Sequence, residues 1–281
     1  TVCSLHKLEL SRATIYSDFD EKYTPNMMLR GTPVLEIDVR HNLLHKLPTF
    51  ADPRYPEATA NLQVILLGHN FLKNLYFSLN ERLGDHCHLL PKLSKLSLTT
   101  NLLRDVDGLC TSLTHLDLSA NFLNEDWDSV EKQLMILHNI KVLDLSKNDI
   151  TSLTAKAFRS MPNLTELYLS GNNLTKLPSD LFQHNKNLEI IDLELNKLTE
   201  FKVSIIENLP KLKRLNLQYN MITYLEPVLT DFIQNSHTIV EFSILSNPLT
   251  CSCSQENVQQ FIRATEKVPD SKSLTCAGPT R

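Results

Sequence analysis

Between Leu164 and Leu177 the chain reads LTELYLSGNNLTKL, and its apolar residues fall at Leu164, Leu167, Leu169, Leu174 and Leu177. Leu167 and Leu169 alternate with Tyr168, so a short strand here buries the leucines and turns the tyrosine to the other face. Asn172 then stands where the chain must turn. Its amide carries an oxygen acceptor and two N–H donors, enough to serve backbone groups in its own coil and in the next one. With the Asn as origin, the frame asks for apolar residues eight, five and three places before it and two places after it. The frame returns at Asn42 (Val34, Ile37, Val39, Leu44), Asn70 (Leu62, Ile65, Leu67, Leu72) and Asn101 (Leu93, Leu96, Leu98, Leu103). It continues at Asn121 (Leu113, Leu116, Leu118, Leu123), Asn148 (Ile140, Leu143, Leu145, Ile150) and Asn196 (Leu188, Ile191, Leu193, Leu198). It closes at Asn220 (Leu212, Leu215, Leu217, Ile222) and Asn247 (Ile239, Phe242, Ile244, Leu249). A first unit keeps the frame with Leu5, Leu8, Leu10 and Ile15, but Ala13 stands in place of the Asn.

This frame is the leucine-rich-repeat signature. One unit cannot bury its apolar edge alone, so units must stack. The expected fold is an α/β right-handed, curved solenoid with a parallel β-sheet on its concave face. Residues 1–249 supply ten units of about 20–31 residues each. From Asn to Asn the steps are 28, 31, 20, 27, 24, 24, 24 and 27 residues. The strand and turn are constant, so the variation falls on the convex returns. A short return such as Asp105 to Thr111 is predicted to be extended or tightly turned. The longer Asn124 to Asn139, with Trp127, Val130, Leu134 and Leu137 at helical spacing, is predicted to hold a short helix. Phe158 and Phe182, with Ile206, are expected to stack as a second core column. Tyr16 to Pro33, and Phe50 to Asn61 with Pro53 and Pro56, read as loose loops.

Ser254 can cap a helix whose apolar face is Val258, Phe261, Ile262, Thr265 and Val268. This segment follows Asn247, Pro248, Leu249, Cys251 and Cys253, and Cys276 comes after it. Residues 250–281 thus resemble the cysteine-flanked C-terminal cap of extracellular leucine-rich-repeat proteins, cut short before its fourth Cys. The resemblance implies a Cys251–Cys276 disulfide and leaves Cys253 without its partner. Closing such a loop is typically worth a few kcal/mol. Zinc is set aside, because a zinc site needs about four ligands and this segment has three Cys. Cys87 and Cys110 lie on the returns of adjacent coils and could staple them; Cys3 has no evident partner. The chain begins on an ordinary coil, so further repeats are expected upstream.

A net charge of −4 gives no electrostatic case for nucleic acid, unless acidic pH charges the ten histidines. No apolar run approaches the roughly 18 residues of a membrane span. Asn163-Leu-Thr165 and Asn173-Leu-Thr175 are N-glycosylation sequons, one before and one after a strand; beside the cysteine cap they favour an extracellular chain. On the concave face the central outward residues include Asp117, Asp144, Tyr168, Asp192 and Asn216. They form either a strip for a basic or hydrogen-bonding ligand or, the favoured reading, solvated fillers of an L-D-L-S motif. Lys213, Arg214, Gln218 and Tyr219 form a further candidate contact spot. His41 and His69 hold the same place in adjacent coils and could titrate as a pair, although independent exposed imidazoles are the expectation. No G-x-S-x-G, phosphate-binding glycine loop or H-E-x-x-H is present, so neither catalysis nor a cofactor is implied.

The irregular repeat lengths, the convex insertions and the N-P-L-T-C-S-C start of the cap together resemble the C-terminal half of a Toll-like receptor ectodomain. That resemblance implies a type I membrane receptor of innate immunity, its ectodomain on the extracellular or endosomal side, anchored through a segment outside this sequence. It implies a microbial or protein ligand and a homo- or heterodimer through the lateral surface of the C-terminal coils. No ligand-contact motif carries over. The alternatives are a secreted or anchored extracellular leucine-rich-repeat binding or adhesion protein, and a cytosolic scaffold with reduced cysteines.

Overall fold

The computed structural model describes residues 7–15, 34–48, 59–78, 81–250, 261 and 266–269. Cys3, Cys251, Cys253, Cys276, most of the expected cap helix and the loose stretches 16–33 and 49–58 lie outside them. The chain divides into two compact units, Thr1–Asp144 and Leu145–Arg281.

In the first unit the strands are β1 (Lys7–Glu9), β2 (Glu36–Asp38), β3 (Val64–Leu66), β4 (Tyr76–Ser78), β5 (Glu81–Arg82), β6 (Lys95–Ser97), β7 (His115–Asp117) and β8 (Val142–Asp144). Strands β1, β2, β3, β6, β7 and β8 pair in that order, all parallel, while β4 and β5 form a separate antiparallel pair. The second unit carries β9 (Glu166–Tyr168), β10 (Ile190–Asp192), β11 (Arg214–Asn216) and β12 (Glu241–Ser243), again parallel and in sequence order. Each parallel strand spans the residues six to four places before its turn position. The register aligns the repeat frame from coil to coil: Leu116 meets Leu143, and Ile191 lies between Leu167 and Leu215. These central residues are buried at 0–1 % exposure. A buried Leu or Ile is worth about 1.5–3 kcal/mol, so this one repeated column dominates the core. Leu8 is only half-buried, and so is Leu177.

The turn asparagines form a continuous ladder inside each unit. Asn172 Oδ1 accepts from the Asn148 and Ile150 N–H groups at 3.1 and 3.0 Å, and its Nδ2 donates to Leu145 O and Leu169 O at 3.0 and 2.9 Å. Asn42, Asn70, Asn101, Asn121, Asn196, Asn220 and Asn247 each accept one N–H of the preceding coil in the same way. The bonds reach back to the preceding coil, not forward as the sequence suggested. The Ala13 coil is accordingly held by Asn42, which bonds Ile15 N and Leu10 O.

On the return side of the first unit, α1 (Trp127–Leu134) follows a turn of 3-10 helix, Leu123–Asp126. The Asp126 side chain accepts from Ser129 N and caps it, and Trp127, Val130 and Leu134 are its buried face. Cys87, in the 3-10 helix Leu83–Leu89, is disulfide-bonded to Cys110 of the next return, with Cα atoms 5.4 Å apart. The two returns touch closely. A Cβ on Gly84 would lie 2.9 Å from Gly108 Cα, so glycine is required there. Arg82 adds an ion pair to Asp107 at 2.6 Å.

In the second unit Phe158 and Phe182 stack with ring centroids 6.1 Å apart, and Ile206 is fully buried behind the same coils. Helix α2 (Pro227–Asn235) begins with proline in its first turn, where the missing N–H costs nothing. Its last turn is closed by Lys267, whose Nζ donates to Ile233 O, Gln234 O and Ser236 O at 2.7, 3.1 and 2.5 Å. The backbone of the same residue accepts from Phe242 N at 2.7 Å, so the segment Glu266–Pro269 lies against β12.

Candidate functional site

The open face of the strands is where outward residues collect. Much of its acidity is structural. Asp38, Asp117 and Asp192 each use Oδ1 to accept the backbone N–H two residues on, at 3.0–3.1 Å, and Asn216 does the same for Gln218 N. This Asx turn carries the chain from strand to turn, and it explains why Asp or Asn fills that place. Asp38 is further bound by Arg40 (Nε at 2.9 Å, Nη2 at 2.6 Å), which holds its carboxyl below the ordinary 3.8. Asp117 Oδ2 accepts from Ser97 Oγ at 3.1 Å. In the first unit, Asp117 is thereby satisfied within the sheet.

The second unit differs. Tyr168, Ile190, Ile191, Asp192, Arg214, Leu215, Asn216 and Glu241 line a depression of about 140 Å³. The register explains it. Ile190 lies between Glu166 and Arg214 on neighbouring strands, and Asp192 lies between Tyr168 and Asn216. The Tyr168 hydroxyl donates to Glu166 Oε2 at 2.7 Å, and Asn216 Nδ2 donates to Glu194 Oε2 at 3.0 Å. These bonds fix the rim. Arg214 and Glu241 are register partners, yet they close no ion pair among the described residues. One residue earlier, at the strand-start edge, Lys213 does pair across strands, with Glu189 Oε2 at 2.6 Å, and this holds the Glu189 carboxyl below its usual range. A guanidinium with no ion-pair partner among the described residues, beside Ile190, can donate to an incoming carbonyl or carboxylate. The volume suits a single side chain and is well below the roughly 300–1,000 Å³ of small-molecule pockets.

The structure separates other residues that the sequence grouped. Lys213 and Arg214 lie at the start of β11, while Gln218 and Tyr219 lie beyond its end. Tyr219, 51 % exposed, and Leu195, 52 %, are equivalent residues of adjacent coils, with Met221 and Tyr224 exposed nearby in sequence. His41 and His69 are not independent: their rings stack, with centroids 4.2 Å and planes 10° apart. Asn163 is exposed just before β9; Asn173 follows it by one turn and donates Nδ2 to Asp149 Oδ1 at 3.2 Å. Asp144 ends β8 in the first unit.

Two features escaped the sequence reading. A second polar ladder runs along the strand-start edge, nine places before the turn Asn. There Ser112 Oγ donates to Leu93 O at 2.7 Å, Asn139 Nδ2 to Thr111 O at 3.1 Å and Asn187 Nδ2 to Pro162 O at 2.9 Å. Its signal was present as Asn or Ser at a fixed offset. The residue before the turn Asn also has a left-handed φ of 52–58° in coil after coil, as at His41, Ala120, Lys147 and Tyr219. Only Gly171, at φ 68°, carries the residue type that announces it.

Fold and open face together define a repeat scaffold built to present a preorganised sheet. Residues 111–174, 162–222 and 186–232 match the leucine-rich repeat family, and the fold is a leucine-rich-repeat fold. Among solved structures the chain is similar to TLR13 in the TLR13–ssRNA13 complex, with TM-score 0.61 and 18% identity over 94% of this chain. It spans 54% of that structure's chain. It is also similar to human 5T4 (Wnt-activated inhibitory factor 1, trophoblast glycoprotein), with TM-score 0.58 and 22% identity over 88% of this chain and 82% of the other. No curated protein matches the sequence. No described helix is long and apolar enough to cross a membrane.

Proposed function

We propose that the chain is a ligand-binding ectodomain segment of a pattern-recognition receptor of Toll-like type. It takes a macromolecular ligand on the open face of its second unit and signals by ligand-linked dimerisation. The observation that carries this reading is the depression lined by Tyr168, Ile190, Asp192 and Arg214, the last without an ion-pair partner among the described residues. A side-chain-sized notch on a rigid sheet suits a large partner contributing one anchor residue. The Cys87–Cys110 disulfide supports an oxidising, extracellular or luminal setting. Leu195, Tyr219, Met221 and Tyr224, each about half exposed, supply an apolar edge for the second copy in the dimer. The similarity to a TLR13 structure fits the reading at the level of fold. RNA, the ligand named with TLR13, suits the depression poorly, because Glu166, Asp192 and Glu241 surround its single free cation.

The second reading, a secreted or anchored binding or adhesion protein, is favoured by the similarity to 5T4 over most of both chains. Reading the transcript beyond the codon for Arg281 separates them. A further Cys, an apolar span of about 20 residues and a cytoplasmic signalling domain are expected for the receptor. A stop codon soon after the cap, or a lipid-anchor signal, would transfer the chain to the second reading.

A further inference from the structure

The strand-end edge of the first unit carries a feature the open face does not use. The residue before the turn position in three consecutive coils is Arg12, His41 and His69, at φ 58°, 57° and 56°. Their N–H groups are held by the next coil: Arg12 N by Arg40 O at 3.1 Å, His41 N by Gly68 O at 3.0 Å and His69 N by Thr99 O at 2.9 Å. The three residues therefore leave the edge as one row at the coil spacing. Within the row both imidazoles are exposed and lie parallel, 4.2 Å apart.

The charges around this row balance. Strand β1 brings Lys7 and Glu9, and β2 with its following residue brings Glu36, Asp38 and Arg40. Lys7 lies 3.2 Å from Glu36, 3.6 Å from Glu9 and 3.8 Å from Asp38, while Arg40 binds Asp38 at 2.6 Å. With Arg12, three cations meet three carboxylates on the strand side among the described residues, so these charges offset one another while the imidazoles are neutral. Strand β3 adds no charge. On the return side His45 stacks on Phe71 with centroids 5.3 Å apart, and Lys46 and Lys73 follow in sequence. Protonating both rings gives the patch a surplus of two positive charges, with N–H donors on adjacent coils.

Like charges this close repel unless an anion lies between them. We propose that the row Arg12, His41 and His69 is a proton-gated oxyanion site, empty of anions near neutral pH and taking a phosphate or sulfate group when both imidazoles are charged. Desolvation, then His69, Arg12 and Arg40, push the His41 pKa below its ordinary 6.5, with Asp38 opposing. A bound oxyanion offsets that repulsion and draws protons onto both rings. The site lies in the first unit and does not depend on the receptor reading.

Sodium sulfate is titrated into the whole chain at about pH 5.5 and about pH 7.5 while the histidine ring signals are followed by NMR. At the acidic pH the His41 and His69 signals are expected to shift together on one saturating curve. At the higher pH the affinity should be at least about tenfold weaker, since protons are taken up on binding. A sulfated dextran in place of inorganic sulfate distinguishes the sources: tighter binding of the polymer points to esters on a larger ligand, equal binding to the free ion. His41→Asn and His69→Asn, chosen because Asn tolerates the left-handed backbone, should each abolish the curve. In His69→Asn the remaining His41 should titrate higher than in the wild type, which confirms an intact edge freed of the His69 charge. Sulfate affinity equal at both pH values, a curve that survives either variant, or an unchanged His41 midpoint in His69→Asn would overturn the proposal.

Discussion

Asn172 makes four backbone bonds from one amide, two of them to buried N–H groups, those of Asn148 and Ile150. Asn172→Ala leaves both donors unpaired, and each such group costs about 1–3 kcal/mol, so a loss of about 2–6 kcal/mol is expected in urea unfolding. The neighbouring Asn173→Ala, at a partly exposed site, should stay within about 0.5 kcal/mol. Equal effects of the two substitutions would remove the ladder from the account of stability. Asp38 gives the pH counterpart. Its side chain is buried at 0 % exposure and its pKa is lowered first by the Arg40 hydrogen bond. A carboxyl with a lowered folded pKa stabilises the fold above its ordinary pKa, and that stability is lost as pH falls through the folded value. The advantage of the wild type over Asp38→Asn should therefore be full at about pH 6 and shrink below about pH 4. A difference constant across that range would mean that Asp38 acts by packing and not by charge. Asn172 was legible in the sequence because the frame repeats it. The role of Asp38 was not, because an Asx turn and a ligand-facing acid are spelled with the same letter.

The same division holds for elements. The strands were legible from the spacing of residues such as Leu167 and Leu169, and α1 from Trp127, Val130 and Leu134 on one helical face. The pair β4 and β5 was not: Tyr76–Ser78 and Glu81–Arg82 pair antiparallel with an irregular register, with Arg82 over the Tyr76 ring, and the repeat frame has no place for such a pair. Helix α2 was missed because a return of this length can also run extended. Its closure by Lys267 depends on a residue more than thirty places away. In the sequence Cys87–Cys110 is only a possible pair, because sequence separation alone does not bring two returns together; the close contact of Gly84 with Gly108 does. The bond closes a loop across 23 residues. Replacing both cysteines with alanine should lower the stability of the first unit by about 2–4 kcal/mol, read by denaturation with and without reductant. In the unfolding of the first unit, wild-type protein under reductant should match the double variant, and the variant should not respond to reductant. A variant as stable as the oxidised wild type would show that the Gly84–Gly108 contact and the Arg82–Asp107 pair hold the returns unaided.

At the scale of the whole chain, a repeat fold makes its contacts within each coil and with the immediately neighbouring coils. A local injury should therefore stay local. The candidate depression involves only β9, β10, β11 and β12, and the Arg12, His41 and His69 row only the first three coils, so each can be altered without reshaping the other. That independence was implicit in the sequence frame. The identity of the sites was not, because it arises from departures from the frame, such as Ile190 between Glu166 and Arg214. Hydrogen exchange tests the locality directly. Reducing Cys87–Cys110 should speed exchange at the Leu96 and Leu116 amides, in strands flanking the return that carries Cys110. Exchange at Leu167, Ile191 and Leu215 should change by less than about twofold, because no term in their coils has altered. If both sets accelerate by the same factor, the two units unfold as one cooperative block. The depression and the histidine row would then respond to each other's mutations through stability alone, and binding data on either would need that correction before any residue was assigned a role.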